Sequence, residues 1–358
     1  MIARCPRQWS SRPSGRLDAG GPEGPPLPCW PRRPRWPQSV LRVLCLCVAL
    51  TGASVSTQPA RQHVLDIRSA DDLKAFFRPD ANGPPLVTTH RGGSRDGFPE
   101  NAVETFENTL RHTWSSLEVD PRYTKDRVMV LFHDATLERT STGTGRVIDY
   151  TYEELQTLRL KDPAGKVTPY RIPTLDQALA WAKGRTVLFL DNKDVDVVDR
   201  ARAIQKHDAR AWAVVMAYTF EDARRVYDFD PALMMQVFLP DSAAMARFET
   251  TGIPWTNVVG FVTHTEPKEP DIFRRLAARG VMGVLGTSRT IDRAYRAGEI
   301  DRARMQVRYR DAVAAGAHIV EADLGIEAGE ALEARRVAAR SRQRYFSIFD
   351  ASSPVTVR

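Results

Sequence analysis

The chain has 358 residues, four of them cysteine, and a formal charge of +7. Residues 1–60 hold eight arginines against Asp18 and Glu23, so they carry +6 of that charge and the body that follows is close to neutral. A neutral body excludes the broad basic field that nucleic acid needs. Because Cys5, Cys29, Cys45 and Cys47 all precede residue 48, it also excludes a disulfide framework or thiol chemistry once the leader is gone.

Residues 1–39 are rich in Pro, Arg and Gly and show neither helical nor strand period. They read as a disordered leader, or as sequence upstream of the true start codon. The apolar run 40–50 has the size of a signal-peptide core and is too short for a stable membrane span. Small residues follow through Ser56, so the expectation is a signal peptide over about 40–56 and a secreted or periplasmic product. The remaining residues, 61–358, read as one domain.

In that body, short apolar runs alternate with amphipathic ones. The strand-like runs are 85–90, 117–124, 186–191, 212–218, 233–239, 257–264, 281–287 and 317–323, each rich in Val, Leu, Ile, Phe or Met. Such runs suit strands covered on both faces. Helical segments at 175–183, 197–207, 220–227 and 270–279 separate them, and Gly280 and Gly316 stand where helix C-caps belong. Eight such units predict an α/β fold, a (β/α)8 TIM barrel.

One further run, 128–133, follows 117–124 after only Lys125-Asp126-Arg127. That link is too short for a parallel crossover, so it predicts a hairpin. Folding about Asp126 sets Asp120 opposite Phe132 and Glu118 opposite Asp134, which brings His133 beside both carboxylates. The polar segment 135–173, with a helix expected over 152–160 behind Thr151, reads as a small capping insertion after the second strand.

Chemistry concentrates at the strand ends. Glu118 and Asp120 share one strand face, and two carboxylates there need a cation, for which Mg²⁺ or Ca²⁺ suits oxygen ligands. Asp191 ends the next strand as a third candidate ligand, with Lys193 on the same side for a phosphate. Arg91, followed by Gly92-Gly93, can grip phosphate oxygens, and His90 and His133 form a candidate acid/base couple. His264, Glu321 and Asp323 end late strands and are expected to line the mouth.

Five blocks in order, His90-Arg91-Gly92, Pro99-Glu100-Asn101, Glu118-x-Asp120, Thr124-Lys125-Asp126 and His133-Asp134-x-Thr136-Leu137-x-Arg139-Thr140, resemble the glycerophosphodiester phosphodiesterases. The resemblance is clear over about residues 86–193. It implies a phosphatidylinositol-phosphodiesterase-like TIM barrel and a small glycerophosphodiester or lysolipid substrate. It further implies divalent-metal-dependent hydrolysis to glycerol 3-phosphate and an alcohol. On the same ground His90 and His133 would be catalytic and Arg91 and Lys193 would hold phosphate. Glu118, Asp120, Asp191 and Glu100 would surround the metal. The chain departs from the family pattern at Ala102, at Arg127 in place of a turn glycine, at Asp191 in place of glutamate, at Gly286-Thr287 without tryptophan, and at Glu321-Ala322-Asp323. Two rivals stand beside this expectation: a lysophospholipase D or sphingomyelinase-D-like enzyme acting on lipids, and a phosphate-ester binding protein with little turnover.

Overall fold

The computed structural model describes residues 61–80, 83–338 and 342–350. The leader and the expected signal peptide lie outside the described residues. Twelve strands are present among the described residues: β1 Arg61–Leu65, β2 Leu86–Thr89, β3 Ser116–Val119, β4 Pro121–Tyr123, β5 Met129–Leu131, β6 Leu188–Leu190, β7 Ala213–Ala217, β8 Met234–Phe238, β9 Val258–Thr263, β10 Gly283–Gly286, β11 Ile319–Ala322 and β12 Phe346–Asp350. Eight of them close a barrel in the order β2-β3-β6-β7-β8-β9-β10-β11, and every neighbouring pair is parallel. Seven are the predicted runs trimmed by one or two residues at each end, and the eighth, β3, keeps only the first part of the run 117–124 and begins at Ser116.

The barrel buries both faces of its strands. Leu117, Val119, Leu188 and Leu190 look outward onto the helices, in one cluster with Leu175, Leu179 and Ile204. Phe189, Val214, Met216, Val259 and Phe261 fill the interior. Helix Leu175–Ala182 begins with a reciprocal cap between Thr174 and Gln177. Gly280 and Gly316 take the left-handed backbone expected of helix ends, at φ 76° and 108°.

The base of the barrel was not legible in the chain. β1 and β12 pair antiparallel across nearly the whole sequence, and Leu65 N–H and Asp66 N–H reach Arg185 and Tyr345 carbonyls at 2.9 and 2.8 Å. Helix Ala70–Phe76 sits in the same cluster and inserts Phe76 and Phe77, the latter edge-on to Phe189 at 5.7 Å. With the base plugged, the carboxyl ends of the strands form the open mouth.

Two local expectations need correction. The run 117–124 is two strands: β3 stays in the barrel and β4 leaves it at Asp120 to form the predicted hairpin with β5. Phe132 N–H donates to the Asp120 carbonyl at 2.9 Å as expected, but Glu118 belongs to the barrel and does not face Asp134. The helix expected over 152–160 is only Tyr152–Leu155. It starts on the Thr151 cap, then buried Leu160 is drawn away by its N–H bond to the Tyr170 carbonyl, and Arg159 pairs with Thr142. The insertion has its own small core of Leu137, Val147, Leu155, Leu160 and Ile172 against Phe132 and Val130.

His318, just before β11, gives this scaffold an acid limit. Its Nδ1 accepts the Gly283 N–H at 3.2 Å, and burial and the Arg342 charge push its pKa down to about 4. A histidine with a folded pKa below its unfolded value near 6.5 leaves the unfolded state holding more protons between those limits. Stability is therefore complete above about pH 6.5 and falls toward pH 4, by up to about 3 kcal/mol. In His318→Gln that acid-side fall should shrink by most of that amount when urea unfolding is compared at about pH 5 and about pH 7.5. An unchanged pH slope would show that His318 is not the group responsible.

Candidate active site

The mouth holds a cavity of about 670 Å³. His90, Arg91, Glu100, Glu118, His133, Asp191 and Lys193 all line it, so the structure brings seven of the eight predicted residues to one place. The eighth, Asp120, is fully buried immediately beneath.

The β2 end turns sharply. Arg91, Gly92 and Gly93 are left-handed in succession, at φ 51°, 79° and 89°. A Cβ on Gly92 would lie 2.2 Å from the Phe106 ring, and one on Gly93 2.7 Å from Thr89, so only glycine fits. This turn aims the Arg91 N–H at Glu118 Oε2, 2.8 Å away. His90 Nδ1 lies 2.6 Å from Asp323 Oδ1, and its Nε2 is 3.9 Å from Glu118. Burial opposes charge on this ring, but Glu118 and Asp323 outweigh it and lift the pKa to about 10.

Glu118, Asp120 and Asp191 present oxygens that all lie within 4.8 Å of one another, and all three are buried. Burial and the neighbouring carboxylates push the Glu118 pKa well above its usual value. Asp120 behaves oppositely. Burial works against its charge, yet Lys193, His133, Arg91 and Asn101 hold it down near 2. Lys193 Nζ is 3.0 Å from Asp120 Oδ1 and also contacts Asp191, but Asp120 Oδ1 has no well-directed hydrogen bond. A buried, all-oxygen set with self-repulsion and an under-satisfied oxygen fits a hard divalent cation.

His133 meets this cluster through Asp120, whose charge it faces. Its Nδ1 lies 2.7 Å from Asp134, and its carbonyl accepts from Arg122 at 2.7 and 3.0 Å. Burial outweighs the Asp120 and Asp134 charges and lowers its pKa. Glu100 lines the same mouth. It is gripped by Arg139 at 2.7 and 3.0 Å and by Arg91 at 3.2 Å, outside the three-carboxylate cluster. It thereby contacts two arginines that line the mouth, Arg91 and Arg139. Arg139 also grips Asp134, so one arginine of the insertion ties the His133 side to the Arg91 side.

Comparison with known proteins agrees with this geometry. The glycerophosphoryl diester phosphodiesterase family model matches residues 90–309, more than half of the chain. The chain belongs to that family. A crystal structure of a glycerophosphoryl diester phosphodiesterase from Parabacteroides distasonis is 40% identical, with a TM-score of 0.77, over 80% of this chain and 100% of that one. Glycerophosphodiester phosphodiesterase 1 from Bos taurus is 37% identical over 111 residues, which is 29% of this chain and 32% of that protein. The matched segment thus spans about a third of the length of such curated relatives. A phosphodiesterase from Oleispira antarctica, solved with the product sn-glycerol 3-phosphate, shares the fold at 19% identity and a TM-score of 0.53, over 70% of this chain and 97% of that one.

Several residues hold the site in ways the local sequence does not reveal. Asn101, itself left-handed at φ 59°, donates to Asp120 Oδ2 at 2.5 Å and accepts the Asp120 N–H at 3.0 Å. The motif contains Asn101, but only the fold reveals its task. Asp323, expected merely at the mouth, fixes His90 and is backed by Arg296. Buried Arg200 donates to the Leu190 and Met216 carbonyls at 2.8 and 2.9 Å, pinning the ends of β6 and β7 beside Asp191. Tyr218 donates to Asp191 Oδ1 at 2.6 Å. Arg127, at φ 63°, does take the left-handed position of a turn glycine, and its guanidinium lies 3.4 Å over the Tyr123 ring.

Proposed function

We propose that this chain hydrolyses glycerophosphodiesters to glycerol 3-phosphate and an alcohol. The observation that carries the reading is the convergence of Glu118, Asp120 and Asp191, within 4.8 Å of one another, beneath a cavity lined by His90, His133, Arg91 and Lys193. Arg91 and Lys193 take the phosphate oxygens and stabilise charge that builds in the transition state. One histidine removes the proton of the attacking oxygen, either water or the adjacent glycerol hydroxyl. The other returns a proton to the departing alkoxide. Asp323 and Asp134 hold the two rings by Nδ1 and leave Nε2 for the substrate. A divalent cation held by Glu118, Asp120 and Asp191 would supply further charge neutralisation at the phosphate.

The rim favours a soluble diester over a membrane lipid. Arg139, Thr140, Lys161 and Asp162 line the insertion side. The deciding experiment measures glycerol 3-phosphate released from glycerophosphocholine, glycerophosphoethanolamine, glycerophosphoinositol and lysolipids. Release is expected from the soluble diesters, lost in EDTA and restored by Mg²⁺ or Ca²⁺. Tight binding without product, or turnover confined to lysolipids in detergent, would overturn the reading.

A further inference from the structure

We propose that an aromatic arc on the far side of the mouth binds the alcohol half of the diester and selects an uncharged, hydroxyl-bearing alcohol over a cationic one. This rests on the hydrolase reading and names the group that reading leaves open.

The arc is continuous. Tyr218, Phe238, Phe261 and His264, at the ends of β7, β8 and β9, have successive ring centroids 4.7, 5.0 and 4.7 Å apart, and all four line the cavity. At about 670 Å³ the cavity is in the range that encloses a ligand larger than a phosphate and its glycerol. Aromatic faces accept either the carbon face of a polyol or a cation. Two observations separate these.

The first is that buried polar atoms at the arc lack partners. His264 Nδ1 and Glu321 Oε2 are buried without a hydrogen bond, and Glu321 is only 4% exposed. Both line the cavity and both flank Gly286. Gly286 is in register with Glu321, and a Cβ on Gly286 would lie 2.3 Å from His264 Nδ1. Such atoms call for a ligand with its own donors and acceptors, which hydroxyls provide and a trimethylammonium group does not.

The second is charge. Arg289, on the turn Ser288–Asp292 after β10, lines the cavity and has no ion pair or hydrogen bond among the described residues. Burial, Arg289 and His90 together push the His264 pKa down to about 4, so this end of the mouth already resists a positive charge. The nearby acids are subdued: burial pushes the Glu321 pKa up to about 7, so this carboxyl holds a proton for part of the time at neutral pH, and the other two are already paired. Lys193 and Tyr218 hold Asp191, and His90 and Arg296 hold Asp323.

The test compares kcat/KM for glycerophosphoglycerol and glycerophosphocholine. The glycerol ester should be preferred by about tenfold at low salt, and the preference should shrink at high salt because Arg289 is exposed. Arg289→Gln should narrow the ratio to about threefold or less, by raising the choline rate. Phe238→Ala should raise KM for the glycerol ester more than it lowers kcat. Calorimetric binding of both diesters to the His133→Ala protein reads the same preference without turnover. Equal or reversed preference, or a ratio untouched by Arg289→Gln and by salt, overturns the subsite. Selective binding with no hydrolysis by the unmodified chain would instead retire the hydrolase reading and leave the subsite standing.

Discussion

Replacing His90 or His133 with alanine should lower kcat by about 10²- to 10⁴-fold each, with little change in melting temperature. The size follows from losing a positioned proton donor or acceptor in the transition state. Survival of the fold follows from the partners left behind. Without the His90 ring, Asp323 keeps Arg296, and Glu118 keeps the Arg91 N–H at 2.8 Å. Without the His133 ring, Asp134 keeps two bonds from Arg139, at 2.6 and 2.9 Å. His133→Ala therefore strands no buried carboxylate, which is the usual route by which removing a charged partner unfolds a protein, while His90→Ala also takes a positive charge away from buried Glu321 and should be the less stable of the two. Because the two rings act on different protons of one reaction, the double variant should fall little below the worse single one. Wild-type turnover in either single variant would end the assignment.

Glu118→Gln should separate activity from stability. Turnover is expected to drop by at least about 10²-fold, because a charged member of the three-carboxylate set becomes neutral. Measured without added metal, the melting temperature should rise by about 2–4 °C. Glu118 is the carboxylate whose charge is most opposed by burial and by Asp120, and glutamine removes that repulsion while its oxygen can still accept the Arg91 N–H. The added stabilisation that Mg²⁺ or Ca²⁺ gives the unmodified protein should largely vanish in the variant. A full metal-induced shift in Glu118→Gln would place the cation elsewhere.

How much of this was readable in the chain depends on how local each signal is. The barrel strands were, because a strand covered on both faces must be apolar throughout, and eight such runs recur with helices between. The hairpin at Asp126 was, because three residues cannot make a crossover. The β1–β12 pairing was not: Arg61 and Asp350 find each other across the whole domain, and neither short strand carries a distinctive pattern. The 152–160 helix failed for a related reason. Its propensity was real at Thr151, but long-range bonds from Tyr170 and Thr142 claimed the backbone beyond Leu155.

The site divides along the same line. The five motif blocks name the two histidines, Arg91, Glu100, Glu118 and Asp120, and the end of the 186–191 run adds Asp191 and Lys193, since residue type and period two along a strand are enough to put reactive groups at one barrel end. They do not say who touches whom. One break in direction, at Asp120, keeps Glu118 in the barrel, where its carboxylate lies 3.9 Å from His90 Nε2. One arginine from the insertion, Arg139, shares Glu100 with Arg91. Asp323 joins His90 from 233 residues away. Chemistry is written in side-chain identity, which is local. Hydrogen-bond partnership is settled by packing, which sums contacts from distant parts of the chain, and only the folded barrel performs that sum.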